Sequence, residues 1–177
     1  MKILVTGPQG SGKTTQAELA AKKLGLPVID IGRILREFAK DTSDDAKAVR
    51  ETMNKGVLAP DQIVADLMKE KINESGGGFV ADGYPRSLSQ LELFDPEYNL
   101  VFYLQIADEV VRQRLLRRGR ADDNPEIIDE RLKNYHLLTE PLLEKFKEKG
   151  ILTVLDGNQP IEQIHEKIWL KLKTNIS

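Results

Sequence analysis

Gly7-Pro8-Gln9-Gly10-Ser11-Gly12-Lys13-Thr14 stands between the apolar run Ile3-Leu4-Val5 and the stretch Thr15-Gln16-Ala17-Glu18-Leu19-Ala20-Ala21. The order is strand, glycine-rich loop, helix. Glycines let the backbone curl so that successive N–H groups face a polyphosphate; the lysine reaches the terminal phosphates, and the threonine hydroxyl can sit on Mg²⁺. The helix that opens near Lys13 adds free N–H groups and the positive end of its dipole. Gly10, Ser11, Gly12, Lys13, Thr14 and Thr15 are therefore the candidate triphosphate-binding residues. A glycine turn with an exposed lysine would need no amphipathic helix behind it, whereas here Ala17, Ala20, Ala21 and Leu24 share one face.

Four further apolar runs follow that first strand, at Pro27 to Asp30, Phe79 to Asp82, Leu100 to Leu104 and Ile151 to Leu155. They are short, rich in Val, Ile, Leu and Phe, and do not alternate strictly, as expected of parallel strands covered on both faces. Helical segments separate them. The pattern predicts a three-layer α/β P-loop NTPase fold, a five-stranded parallel sheet flanked by helices. Ile128, Leu132, Tyr135, Leu138, Leu142 and Phe146 form one apolar stripe; Pro141 is expected to end or kink that helix, with Thr139 capping the restart. Trp169 beside the C-terminal stripe reads as a core or edge anchor.

With 177 residues the chain suits one core with inserts. Its 26 basic and 28 acidic residues leave a net charge of −2, so no global field favours nucleic acid or an anionic membrane. The absence of cysteine excludes disulfides, thiol catalysis and cysteine-rich zinc sites. No apolar run reaches the length of a membrane span, and the strand and phosphate loop leave no room for a signal peptide, so a cytoplasmic protein is expected, a monomer by default. The expected organisation is a core of 1–30, 75–118 and 125–177, inserted helices at 31–74, and a rudimentary lid loop at 119–124.

Arginine is the second informative residue. Arg114, Arg118, Arg120 and Arg131 surround Gly119-Arg120-Ala121-Asp122-Asp123-Asn124, where paired carboxylates can orient guanidinium forks toward phosphate oxygens. Arg112 and Arg117 read as a solvated face. Asp82-Gly83-Tyr84-Pro85-Arg86-Ser87-Leu88-Ser89-Gln90 leaves the carboxyl end of a strand, where functional groups of a parallel sheet gather. Asp82 can hold Mg²⁺ through water or cap a turn, Arg86 can face a phosphate, and the Gln90 amide suits a base edge. His136 and His165 lie on helices without acid partners in an obvious site and read as structural or exposed.

These separated motifs, in this order, resemble the nucleoside monophosphate kinases, and among them the adenylate kinase family. The resemblance implies Mg²⁺-dependent transfer from ATP to AMP, with no zinc. It implies that Arg36 and Arg86 hold the AMP phosphate, that Ile31 begins the AMP helix, and that Ala59 lies in the turn passing the adenine. Gly83 would pack near that base and Gln90 would read it. Arg114 would stack on the ATP adenine; Lys13, Arg118, Arg120 and Arg131 would surround the moving phosphoryl group, with Asp122 and Asp123 linking the lid to those arginines. Three departures stand out. Ile31-Gly32-Arg33 replaces the family's common threonine, glycine, aspartate; Val57 and Ala59 alter the pocket wall; and only Gly119, Arg120 and Ala121 separate Arg118 from Asp122. A UMP or CMP kinase of the same fold, or a P-loop ATPase acting as a switch for an assembly partner, remain the alternatives.

Overall fold

The computed structural model describes residues 1–120 and 123–176, so Ala121 and Asp122 of the expected lid lie outside the described residues. Five strands, β1 Lys2–Thr6, β2 Val28–Asp30, β3 Phe79–Asp82, β4 Leu100–Gln105 and β5 Leu152–Asp156, pair in parallel in the order β2-β3-β1-β4-β5. Each strand falls within a residue or two of the apolar run that predicts it. β1 is central, and β2 and β4 lie on opposite sides of it. The loops after β1, β2 and β3 therefore emerge side by side at the carboxyl edge, where a sheet of this kind binds ligands.

Both faces are covered, which explains the continuous apolar runs. On one face Ile3, Val5, Val80, Phe102 and Leu104 pack against Ala17, Ala20 and Ala21 of α1, Lys13–Leu24, and Ile164, Ile168 and Leu172 of α9, Ile161–Ile176. The alternate residues Leu4, Phe79, Ala81 and Val101 face the other way. They meet Leu35 of α2, Ile31–Phe38, Val49 of α3, Asp44–Asn54, and Val64 and Met68 of α4, Asp61–Glu74. These three helices are the predicted excursion. Asp30 caps α2 by accepting from Arg33 N at 2.9 Å, and Ser43 caps α3 by accepting from Ala46 N at 3.3 Å.

After β3 comes the short α5, Leu88–Leu93; after β4 come α6, Asp108–Arg118, and α7, Pro125–Asn134. The single predicted stripe turns out to serve two cores. Ile128 and Leu132 pack on Val111 and Leu115 of α6, whereas Leu142 and Phe146 of α8, Glu140–Glu148, join the sheet face with Leu4. Between them Tyr135–Thr139 form a π turn, closed by Glu140 N donating to Tyr135 O. Pro141 accounts for the interruption, because its ring clashes with the carbonyl four residues back and it offers no N–H. The expected Thr139 cap is corrected: its side chain makes no capping bond and donates elsewhere. Trp169 is an edge anchor, half-buried on the α1 side with the Lys23 and Lys173 ammonium groups 4.8 and 5.5 Å from its ring. Among the described residues no helix is long and apolar enough to cross a membrane.

Candidate active site

The phosphate loop is built from backbone. Gly7 has a φ of 149°, and a Cβ there would lie 2.8 Å from Leu104 O, so only glycine lets β1 turn this tightly against β4. Ser11 N donates to Pro8 O at 3.2 Å, closing the curl, and Gly12 begins α1 with its N–H groups unspent on a side-chain cap. Lys13 lies across the loop with Nζ 3.3 Å from Pro8 O and is 9% exposed. Burial pushes its pKa down to about 8; the Asp82 carboxylate works against this and the Arg86 charge with it.

Asp82 ends β3 with 3% exposure. Its Oδ2 accepts from the Thr14 hydroxyl at 2.5 Å, while Oδ1 is buried without a hydrogen-bond partner. A buried carboxylate oxygen left open beside a hydroxyl is an arrangement that fits a hard cation. A site with so few protein oxygens suits Mg²⁺, which keeps waters and takes phosphate oxygens as its remaining ligands. Gly83, at φ 75°, turns the chain immediately afterwards; a Cβ would come within 3.2 Å of Arg86 Nη2, so this glycine leaves the guanidinium its place. Arg86 Nε donates to Gly83 O at 2.9 Å. Both its backbone groups are held by side chains: Arg86 N donates to Gln90 Oε1 at 2.8 Å, and Thr139 Oγ1 donates to Arg86 O at 2.8 Å. The π turn thus brings Thr139 to the loop that carries Arg86, a role no local sequence signal indicates.

The arginines of α6 and α7 converge on Asp123, which is buried. Arg118 Nε and Nη2 donate to its two oxygens at 2.8 and 2.7 Å, Arg131 Nη1 donates at 3.2 Å and Arg120 N at 3.2 Å. Burial works to raise the Asp123 pKa, but the Arg118 contacts, with Arg120 and Arg131, outweigh it and hold the carboxyl below its ordinary value. Asp123 therefore does what the paired acids were expected to do, and Asp122 lies outside the described residues. Asn124 caps α7 by accepting from Ile127 N at 2.9 Å, with Pro125 in the first turn, which orients the helix carrying Arg131. Arg114 donates to Gly10 O at 3.4 Å and Gly157 O at 3.2 Å, tying α6 to the phosphate loop and to the turn after β5.

A cleft of about 420 Å³ joins these parts. Its lining includes Gly10, Gly12, Lys13, Thr14, Thr15, Arg36, Ala59, Asp82, Gly83, Arg86, Arg114, Arg118, Arg120 and Arg131. Three predicted residues are not on its surface. Ser11 is buried behind the loop, Ile31 packs in the core, and Gln90, 1% exposed, is absent from the lining, each end of its amide making one hydrogen bond. Asp30 lines the cleft although no motif singled it out; it lies at the carboxyl end of β2, caps α2 and approaches Arg36 at 3.9 Å. His136 is structural and exposed as expected, though not without acid partners. It has two acid partners, with Nε2 3.0 Å from Asp108 and Nδ1 3.1 Å from Glu140, and the Glu140 and then Asp108 contacts raise its pKa against partial burial. The bridge is structural, tying the start of α6 to the start of α8.

A phosphate loop with an adjacent carboxylate, facing arginines across one cleft at the edge of a parallel sheet, defines a P-loop phosphotransferase. The adenylate kinase family profile matches residues 5–151. An adenylate kinase of Prochlorococcus marinus subsp. pastoris is 38% identical over 177 residues, covering 96% of each chain; adenylate kinase 1 of Synechocystis is 39% identical over 171 residues, covering 92% of this chain and 91% of its own. One from Pseudarthrobacter chlorophenolicus is 35% identical, covering 97% and 96%. The chain belongs to the adenylate kinase family, and is a nucleoside monophosphate kinase.

Proposed function

We propose that the residues of this cleft divide the reaction ATP + AMP = 2 ADP between two phosphate sites. The loop from Gly10 to Thr15 and Arg114 hold the donor; Arg36 and Arg86, with Gly83, Ala59 and Gln90 near the base, hold the acceptor. An acceptor phosphate oxygen attacks the γ-phosphorus in line and the ADP oxygen leaves. Lys13, Arg118, Arg120 and Arg131 stabilise charge on the moving group, so catalysis is positioning and electrostatics, with no side-chain nucleophile. Thr14, and Asp82 through water, would hold the Mg²⁺ that neutralises charge on the donor phosphates. The observation that supports this reading is that one cleft is lined by the phosphate loop and by all five of Arg36, Arg86, Arg118, Arg120 and Arg131.

The test is a coupled assay of Mg²⁺-ATP against AMP, CMP, UMP, GMP and no acceptor. ADP production that requires AMP is the expected outcome. Equal turnover without an acceptor would make the arginine cluster a hydrolysis site and the chain a switch ATPase.

A further inference from the structure

Asp61 opens α4, two residues beyond the cleft-lining Ala59, and its carboxylate reaches across to α5. Oδ2 accepts from the Ser89 hydroxyl at 2.5 Å, and Oδ1 accepts from Gln90 Nε2 at 3.0 Å. The other end of the same amide accepts from Arg86 N at 2.8 Å. A carboxylate only accepts and a backbone N–H only donates, so the two ends of the Gln90 amide cannot be exchanged. Reversing it would set its NH₂ against the Arg86 N–H and its carbonyl against the Asp61 carboxylate, turning two part-buried hydrogen bonds into donor–donor and acceptor–acceptor clashes. Each end keeps one valence: a hydrogen on Nε2 and a lone pair on Oε1.

We propose that Asp61 is a specificity-determining positioning residue, which fixes the polarity of the Gln90 amide and so selects a 6-aminopurine acceptor over a 6-oxopurine. This rests on the reading of Gln90 as the residue that meets the acceptor base. Adenine presents an amino donor beside a ring-nitrogen acceptor; hypoxanthine presents a carbonyl acceptor beside an N–H donor. One amide orientation matches the first pair and only its reverse matches the second. The apolar wall of Leu35, Met53, Val57 and Ala59 cannot make that distinction, because the two bases have nearly the same shape.

The experiment compares kcat/KM for AMP and for IMP, with saturating Mg²⁺-ATP, in the intact chain and in Asp61→Ala, Asp61→Asn and Ser89→Ala. Asp61→Ala should lower the preference for AMP over IMP about tenfold, through the acceptor KM and with the ATP KM unmoved. Asp61→Asn, whose amide oxygen can still accept from Gln90 while its nitrogen faces Ser89, should keep most of the preference. Ser89→Ala should keep all of it, since it removes the neighbouring contact and leaves the amide held at both ends. An unchanged AMP to IMP ratio in Asp61→Ala, or equal loss with both acceptors, would overturn the inference and leave the acceptor reading standing. An intact chain that does not use AMP would overturn that reading and this inference with it.

Discussion

The two halves of the cleft are held in different ways. The phosphate loop is shaped by its own glycines and short-range backbone bonds, such as Ser11 N to Pro8 O, with Asp82 reaching Thr14 from the neighbouring strand. The side proposed for the acceptor is assembled from side chains of distant elements. Arg86 is fixed by Gln90 four residues away and by Thr139 at a separation of 53, and Gln90 is fixed by Asp61 at a separation of 29. A site built from backbone keeps its form when a side chain is changed, so a substitution there should remove chemistry and leave the fold. A site built from relayed side chains should transmit a change at one element to the ligand contacts of another.

The largest expected effect lies on the donor side. Lys13→Met should lower kcat by on the order of 10² to 10³ and yet raise thermal stability. Keeping the buried ammonium charged at neutral pH costs on the order of 3 kcal/mol, given a pKa brought from 10.5 to about 8. The folded state binds fewer protons than the unfolded chain between these values, so the intact protein gains stability as pH rises through that window. The advantage of Lys13→Met in melting temperature should therefore be greatest near neutrality and shrink above about pH 8. A destabilised Lys13→Met would mean that the loop depends on its lysine, and the contrast would fail.

A smaller effect is expected from the acceptor side. Thr139→Val preserves shape and removes the donor to Arg86 O, which should cost about 1 to 3 kcal/mol in urea unfolding and raise the AMP KM several-fold while the ATP KM holds. If both constants moved together, the two halves would be more tightly joined than the bonding pattern implies. The smallest effect belongs to the helix bridge. The raised His136 pKa means that its stabilisation is fully present below about pH 6.5 and is lost as pH rises through the folded value. His136→Gln should thus be slightly less stable than the intact chain in mild acid and indistinguishable in base. The imidazole is 44% exposed, so water screens the bridge, and a difference that persisted in base would assign its role to packing.

The same contrast governs what could be read from the sequence. The strands and the donor loop were legible because short apolar runs and a run of fixed glycine positions carry their physics locally. The arginine cluster was legible as composition, and Asp123 takes up the role expected of the paired acids. The cap expected of Thr139 fails, and the acid partners of His136 escape notice although its structural, exposed reading holds; Arg86 and Asp108 lie far off in the sequence and meet this stretch only at the turn before Pro141, while Glu140, four residues on, is the local clue. The apolar stripe from Ile128 to Phe146 concealed that turn, because spacing of three and four continues through it while the core it serves changes. Gln90 shows a further limit: an amide identifies a hydrogen-bonding group, but its polarity is set by neighbours that no spacing reveals.

The turn at Tyr135–Thr139 can be regarded as a gear placed on one shaft. Each residue of an α-helix advances the face by about 100°, so the extra residue of a π turn sets everything after it out of phase by that amount. Upstream, the shaft presents Arg131 to the cleft; downstream, it seats Leu142 and Phe146 under the sheet. Loss of one residue at the exposed Leu137 would remove that offset, with Pro141 still in place, and misalign one half with respect to the other. A deletion there, conservative in composition, would therefore be felt at both ends of the shaft, whereas most substitutions at Leu137 would be felt at neither.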